Sequence, residues 1–265
     1  MVSHLRLNAL LKHLDRKWYF DYSTSMNKLD DIKAVLFDVD DTLFDRKTAV
    51  RKALLRTVDN IPDLFLNIPE EKIFLAFHEA DEYAQLEFNK GISGDAVRDL
   101  RSRAFLRILN LPEELSRQIT EQYIGAYPDV SSPIQGAGKV VEKLSEKFVL
   151  GIITNAFPDI QYHKLEGIGV RKFFQIILVS EEIGMRKPDT AIFLRAAHLL
   201  RKEPFECLFV GDSYNTDIIG AKKSGMKACW FNCDNKRVHD ETVKPDLEIT
   251  TLFQLLNILR PNLRG

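Results

Sequence analysis

The chain has 265 residues with 45% hydrophobic content, enough for one or two globular domains with a real core. Thirty-seven basic against thirty-eight acidic residues leave a net charge of -1, which excludes a general binder of nucleic acid or of acidic surfaces. Three cysteines, Cys207, Cys229 and Cys233, are too few for a disulfide framework, and no apolar run approaches membrane-spanning length, so a reducing, cytoplasmic setting without membrane contact is expected.

Residues 1–31 form a basic, leucine-spaced N-terminal arm or extension, Leu5, Leu7, Leu10, Leu11 and Leu14, followed by Trp18-Tyr-Phe20. Asp15, Asp21 and the lack of a long apolar core count against a secretory signal, and Met26 is an alternative start. The next stretch, Ala34 to Phe37, is a short apolar run suited to a strand buried on both faces. It ends abruptly in Asp38-Val-Asp40-Asp-Thr42. Acids at a buried strand's tip are costly unless a cation meets them, and a hard divalent metal takes oxygen ligands.

From Thr48 to Tyr127 apolar residues recur at three- and four-residue steps, broken at Pro62, Pro69, Gly91 to Gly94 and Pro112. About four helices and no strand are expected there, a small helical bundle. After a linker through Pro133, strand and helix alternate. Strands are expected over 148–153, 174–179, 206–210, 227–231 and 247–249. Helices are expected over 137–147, 158–168, 190–201, 216–224 and 252–259. That alternation implies a doubly wound parallel sheet with helices on both faces, an α/β Rossmann-like fold. The bundle, about 48–131, is then an insertion covering the sheet's carboxyl edge. The α/β domain comprises 32–47 and 132–265.

Three further corners carry chemistry. Thr154-Asn155-Ala156 ends an apolar run with a hydroxyl and an amide beside free backbone N–H groups, an anion site. Lys187 precedes Pro188 at a helix start and is placed to aim at a phosphate or carboxylate. Gly211-Asp212-Ser213 ends another buried strand in a carboxylate, and Asp217 opens the next helix. Asp217 is explained by the helix dipole; Asp212 is not, so it is the better metal candidate.

In this order, on strand-to-helix turns, Asp38-Val-Asp40-Asp-Thr42, Thr154-Asn155, Lys187-Pro188 and Gly211-Asp212-Ser213 with Asp217 resemble the four motifs of the haloacid dehalogenase superfamily. The resemblance covers 32–260, and the helical insertion is similar to the helical cap of the dehalogenase-like branch. Phe157 and the Lys227 to Asn232 strand are most similar to the nucleotidase-like phosphatases, and phosphoglycolate-phosphatase-like members are a further match.

The resemblance implies a Mg2+-dependent phosphatase of small phosphorylated metabolites, working as a monomer or homodimer. Asp38 is its nucleophile and Asp40 its acid and base. Asp38, Asp212 and the main-chain carbonyl of Asp40 hold the metal. Thr154, Asn155 and Lys187 bind the phosphoryl group, with added donors from the Asn155 and Ala156 amides. Thr42 and Asp217 support them, Asp217 by steadying the metal or orienting Lys187. Asp40 favours an alcohol leaving group over a halide, and Thr42 favours hydrolysis over mutase chemistry. The alternatives are a 2-haloacid dehalogenase-like hydrolase and a phosphometabolite-binding module without turnover. Lys52, Lys72 and Lys90 read as surface lysines rather than the imine-forming lysine of phosphonatase-type members. Arg98, Arg101, Tyr83 and Phe157 are candidates to touch the leaving group.

Overall fold

The computed structural model describes residues 29–127, 130, 132–237 and 243–259. The chain divides into two units, residues 1–31 and 32–265. Of the first unit only the turn at 29–31 is described, so the arm and the Met26 start lie outside the described residues.

The second unit is built on six parallel strands in the order β3-β2-β1-β4-β5-β6. They are β1 Ala34–Phe37, β2 Val149–Thr154, β3 Ile176–Val179, β4 Cys207–Gly211, β5 Lys227–Phe231 and β6 Leu247–Ile249. The sequence reading placed every one of these strands to within two residues. Successive side chains alternate between the two faces of the sheet. Ala34, Leu36, Cys207, Phe209, Ala228 and Trp230 pack under the helices Thr190–Leu200 and Ile219–Lys223, with Phe193 against Phe209. Val35, Phe37, Leu208 and Val210 take the opposite face, where Phe37 meets Phe174 edge-on. Both faces are covered, which is why these strands read as unbroken apolar runs. Cys207 and Cys229 are buried within them as small hydrophobes.

Between β1 and β2 the chain leaves the sheet to form helices. These are α1 Arg46–Asn60, the short α2 Pro62–Phe65, α3 Glu70–Asn89, α4 Gly94–Ile108 and α5 Ser116–Ala126. Asp45 caps α1 by accepting from the Thr48 amide at 2.9 Å. The helices close on their own aromatic core, in which Phe77 touches both Phe105 and Tyr123 and Phe65 touches Phe105. Exit and return run side by side. Phe44 bridges Pro133, the Asp45 amide donates to Ser132 O at 2.7 Å, and the Ile134 amide donates to Leu43 O at 3.0 Å.

The helices differ from expectation at two places. The one expected from Thr216 begins earlier, as a wide π-type turn over Tyr214–Ile218, before regular helix at Ile219–Lys223. A one-turn helix, Ser180–Ile183, directly after β3 was not expected. Among the described residues no helix is long and apolar enough to cross a membrane.

Candidate active site

The register explains why distant segments meet. Phe37 of β1 is level with Ile152 of β2 on one side and Val210 of β4 on the other. Asp38, Thr154 and Asp212 therefore leave three adjacent parallel strands at the same end. β1 is the switch point of the sheet, with β2 and β3 to one side and β4 to β6 to the other. Crevices at such points hold ligands in open α/β sheets.

Asp38 is buried, and its amide donates to Val210 O at 2.9 Å. The chain then turns tightly, with Asp41 in the left-handed region at φ 54°. The turn is held by the Asp41 amide donating to Phe44 O at 2.7 Å and by the Arg46 amide donating to Asp41 Oδ1 at 3.1 Å.

Lys187 comes from the far side of the site. Its Nζ lies 2.8 Å from Asp38 Oδ1 and 2.7 Å from Asp217 Oδ1, with the side chain almost wholly buried. The peptide bond to Pro188 is cis. Its backbone is clamped by one amide side chain: Asn155 Nδ2 donates to Lys187 O at 2.8 Å, and the Lys187 amide donates to Asn155 Oδ1 at 2.9 Å. The Ala156 amide donates to Ser180 Oγ at 3.1 Å. The Asn155 side chain thus positions Lys187, and the Ala156 N–H, expected as a donor to a ligand, is taken by Ser180.

Asp217 is fully buried in the π-type turn and accepts from the Ser213 amide at 3.0 Å as well as from Lys187. Its carboxylate therefore anchors Lys187 as well as serving the first turn of its own helix. Gly211 makes room for it: a Cβ there would overlap the Asp217 carboxylate. Asp212 makes a long ion pair to Lys236, at 3.7 Å, while Trp230 Nε1 donates to its main-chain carbonyl at 2.9 Å.

Asp38, Asp212 and Asp217 bring carboxylate oxygens within 4.8 Å of one another. Burial pushes the Asp38 carboxyl up to about 7, against the pull of Lys187 and with repulsion from Asp217. Burial, then the charges of Asp217 and Asp38, push Asp212 up to about 8. An oxygen-only set with more negative charge than its lysine neutralises suits a hard divalent cation. The residues present fit Mg2+.

Asp40 faces the other way. Its Oδ1 receives Lys164 Nζ at 2.6 Å, and Gln161 Nε2 lies 3.5 Å from Oδ2. Burial opposes ionisation, but Lys164 and then Arg46 outweigh it and hold the Asp40 carboxyl below the usual range. Gln161 also donates to Thr154 Oγ1 at 2.8 Å, which leaves the threonine hydroxyl proton for a ligand. Thr42 is fully buried, and its Oγ1 has no hydrogen-bond partner.

Lys164 and Gln161 were not singled out from the sequence. They lie on the helix Pro158–Gly167 and are both buried, with Leu165, on one face. Their spacing, i and i+3 with Leu165 at i+4, was the available signal.

Above Asp40 lies a cleft of about 70 Å3 between the helical insertion and the sheet, lined among others by Lys164, Arg46, Arg98, Arg101, Tyr123 and Phe157. Of the four leaving-group candidates, Arg98, Arg101 and Phe157 line it. Tyr83 does not; it is 47% exposed on α3. Lys52, Lys72 and Lys90 are exposed, as expected.

The model for haloacid dehalogenase-like hydrolases matches residues 32–225. Pyrimidine 5'-nucleotidase YjjG of Escherichia coli strain K12 is 27% identical over 229 residues, covering 85% of this chain and 96% of that protein. Glyceraldehyde 3-phosphate phosphatase of Methanopyrus kandleri is 30% identical over 243 residues, covering 86% of this chain and 97% of its own length. Among solved structures, the HAD-hydrolase YfnB of Bacillus subtilis, determined bound to magnesium, superposes with a TM-score of 0.74 at 28% identity, covering 87% of this chain and 99% of that one. A family match over most of the chain and relatives matched over nearly their whole length agree: this chain belongs to the haloacid dehalogenase-like hydrolases.

Proposed function

We propose that this protein is a Mg2+-dependent phosphatase that hydrolyses small phosphate monoesters through a covalent phosphoryl group on Asp38. The supporting observation is the division of labour between the two outer acids of the first turn. Asp38 sits among Lys187, Asp212 and Asp217, whereas Asp40 faces the cleft beside its own lysine.

An oxygen of Asp38 attacks phosphorus and the bond to the ester oxygen breaks. Asp40 gives the departing oxygen its proton. In the second half Asp40 takes a proton from water, the water oxygen attacks phosphorus, and the bond to Asp38 breaks, releasing phosphate. Splitting one displacement into two is the advantage of a carboxylate nucleophile. Asp40 is held as a carboxylate by Lys164, the form the second half needs. Arrival of a phosphate dianion beside it raises its proton affinity for the first half.

Thr154 donates its hydroxyl proton to a phosphoryl oxygen. Lys187, fixed by Asn155 and Asp217, screens the repulsion between the nucleophile and the anionic substrate. Asp38, Asp212 and the main-chain carbonyl of Asp40 would hold Mg2+. When bound, that ion supplies charge neutralisation on the phosphoryl oxygens. The helices over 48–131 act as a cap that excludes water and meets the leaving group. A halide leaves without a proton, so a paired, cleft-facing Asp40 favours an alcohol leaving group over the dehalogenase alternative.

The test is phosphate release from a panel of phosphorylated metabolites with Mg2+ present, together with single turnover in 18O-water. Label appears in phosphate and not in the Asp38 carboxylate, because water attacks phosphorus. Release without any monoester preference for Mg2+, or chloride release from 2-chloropropionate at a higher kcat/KM, would overturn the assignment.

A further inference from the structure

The loop that follows β5 repeats a device already met at Lys187. Asn232, buried directly after the strand, holds one lysine by both ends of its backbone. The Lys236 amide donates to Asn232 Oδ1 at 2.7 Å, and Asn232 Nδ2 donates to Lys236 O at 3.0 Å. Asn155 holds Lys187 with the same two bonds. Asn232 is itself fixed to β6: its amide donates to Ile249 O at 2.8 Å, and its Nδ2 also donates to Glu248 Oε1 at 2.7 Å. Asn235 takes the left-handed region at φ 51°, which turns the loop back on itself. The clamp fixes the point from which the Lys236 side chain reaches out.

That side chain reaches the acidic cluster. Lys236 Nζ lies 3.7 Å from Asp212 Oδ2 and 4.0 Å from Asp234 Oδ2. Neither distance is a hydrogen bond, so charge alone holds the ammonium between these two carboxylates. Asp234 also pairs with Lys47, at the start of α1, at 2.7 Å. Lys236 is half exposed and lines one open groove with Asp212. An ammonium so placed exchanges partners at little cost. Lys187, by contrast, is almost wholly buried and hydrogen-bonded to Asp217 at 2.7 Å, which makes it a fixed part of the site.

We infer that Lys236 is a resident counter-ion of Asp212, a placeholder that Mg2+ displaces, and that Asp234 is the carboxylate to which it withdraws. Lys236 thereby sets how much Mg2+ the protein needs. The inference rests on Asp212 being a metal ligand, as in the proposed function, and goes beyond it: a residue outside the ligand set governs the affinity. An ammonium and a divalent cation compete for the same oxygens, so removing the first strengthens the hold on the second. Asp234 acts in the opposite sense. Without it the lysine keeps only Asp212, and the metal meets a firmer pair.

The test is Mg2+ titration of the full chain without substrate, at low ionic strength, read by calorimetry and by the rise in melting temperature. Lys236→Met is expected to lower the Mg2+ dissociation constant about three- to tenfold, and Lys236→Arg to leave it within about twofold of wild type. Asp234→Asn is expected to raise it about twofold or more. In the Lys236→Met background the same Asp234→Asn change should have no effect, because the residue it serves is gone. Lys72→Met removes an equal charge from an exposed lysine of the helical insertion and should change nothing, which separates a local pair from net charge.

An unchanged or higher dissociation constant in Lys236→Met would overturn the inference. So would an Asp234→Asn effect that persists in the double variant, or a Lys72→Met effect of equal size. In each of these cases Mg2+ still binds the wild-type protein, and the phosphatase reading stands. No Mg2+ binding to the wild-type protein by either method would remove the metal from that reading, and this inference with it.

Discussion

The two sides of the β1 tip differ in how their charges are met. On the β4 side Asp38, Asp212 and Asp217 cluster, with Lys187 between Asp38 and Asp217 and Lys236 only at long range from Asp212, an arrangement short of positive charge. On the β2 side Arg46, Arg98, Arg101 and Lys164 line the cleft, each beside a carboxylate, Asp81, Asp159, Asp81 and Asp40 in turn. Asp38 and Asp40, two residues apart, face into these two environments and carry opposite shifts, up for the first and down for the second. Adjacent carboxylates thus receive different chemistry from their surroundings. Under the proposed function, a substrate spanning the tip meets both sides at once, its phosphoryl group on one and its leaving group on the other.

The largest effect expected on the acidic side is from Asp38→Asn, which removes the nucleophile. Phosphate release should fall at least about a thousandfold with the fold intact by circular dichroism. Residual release within tenfold of wild type would mean that another group attacks. On the basic side, Lys164→Met leaves Asp40 buried without its closest cation. A drop in kcat of roughly ten- to a hundredfold is expected, within the span that general acid–base groups contribute. An unchanged kcat would show that the pair only fills space.

Gly211→Ala probes the space on which the acidic side depends. A methyl group there displaces the Asp217 carboxylate, and with it Lys187. A loss of about 1–3 kcal/mol in chemical denaturation is expected from the overpacking. No loss would mean that the turn after β4 yields freely.

Metal and pH give the smallest and most selective shift. Asp38 is raised to about 7 and Asp212 to about 8, from an ordinary value of 3.8. The folded protein therefore keeps protons that the unfolded chain has already released. Stability from these groups is present below about pH 4 and falls as pH rises toward 8. A divalent cation replaces those protons. The gain in melting temperature on adding Mg2+ should be a few degrees larger at pH 8 than at pH 6, and an equal gain at both would show that the cation does not meet these carboxylates.

The acidic side was readable from sequence because each of its parts interrupts a pattern. Asp38, Thr154 and Asp212 each end an apolar run, and Lys187 precedes a proline. The strands were readable for the same reason, being buried on both faces. The basic side was not readable in this way. Lys164 and Gln161 sit in a helix whose other polar residues face water, and only packing reveals that their face is turned inward. Arg98 and Arg101 were visible as candidates, but their unpaired Nε atoms and their stacking are tertiary facts. That the Asn155 side chain clamps the Lys187 backbone is likewise a tertiary fact, since a side-chain amide after a strand looks the same in sequence whatever it meets. Tyr83 was misread because α3 carries aromatic residues on both its faces, Phe77 inward and Tyr83 outward.

The stem formed by Phe44 with Pro133, Asp45 with Ser132 and Leu43 with Ile134 makes the helical block a detachable cassette. Both crossings pass through one hydrogen-bonded neck, so under the proposed function a chimaera joined there is expected to take its hydrolytic machinery from one parent and its taste in alcohols from the other. Evolution can then retool such a protein by trading the lid and leaving the engine alone.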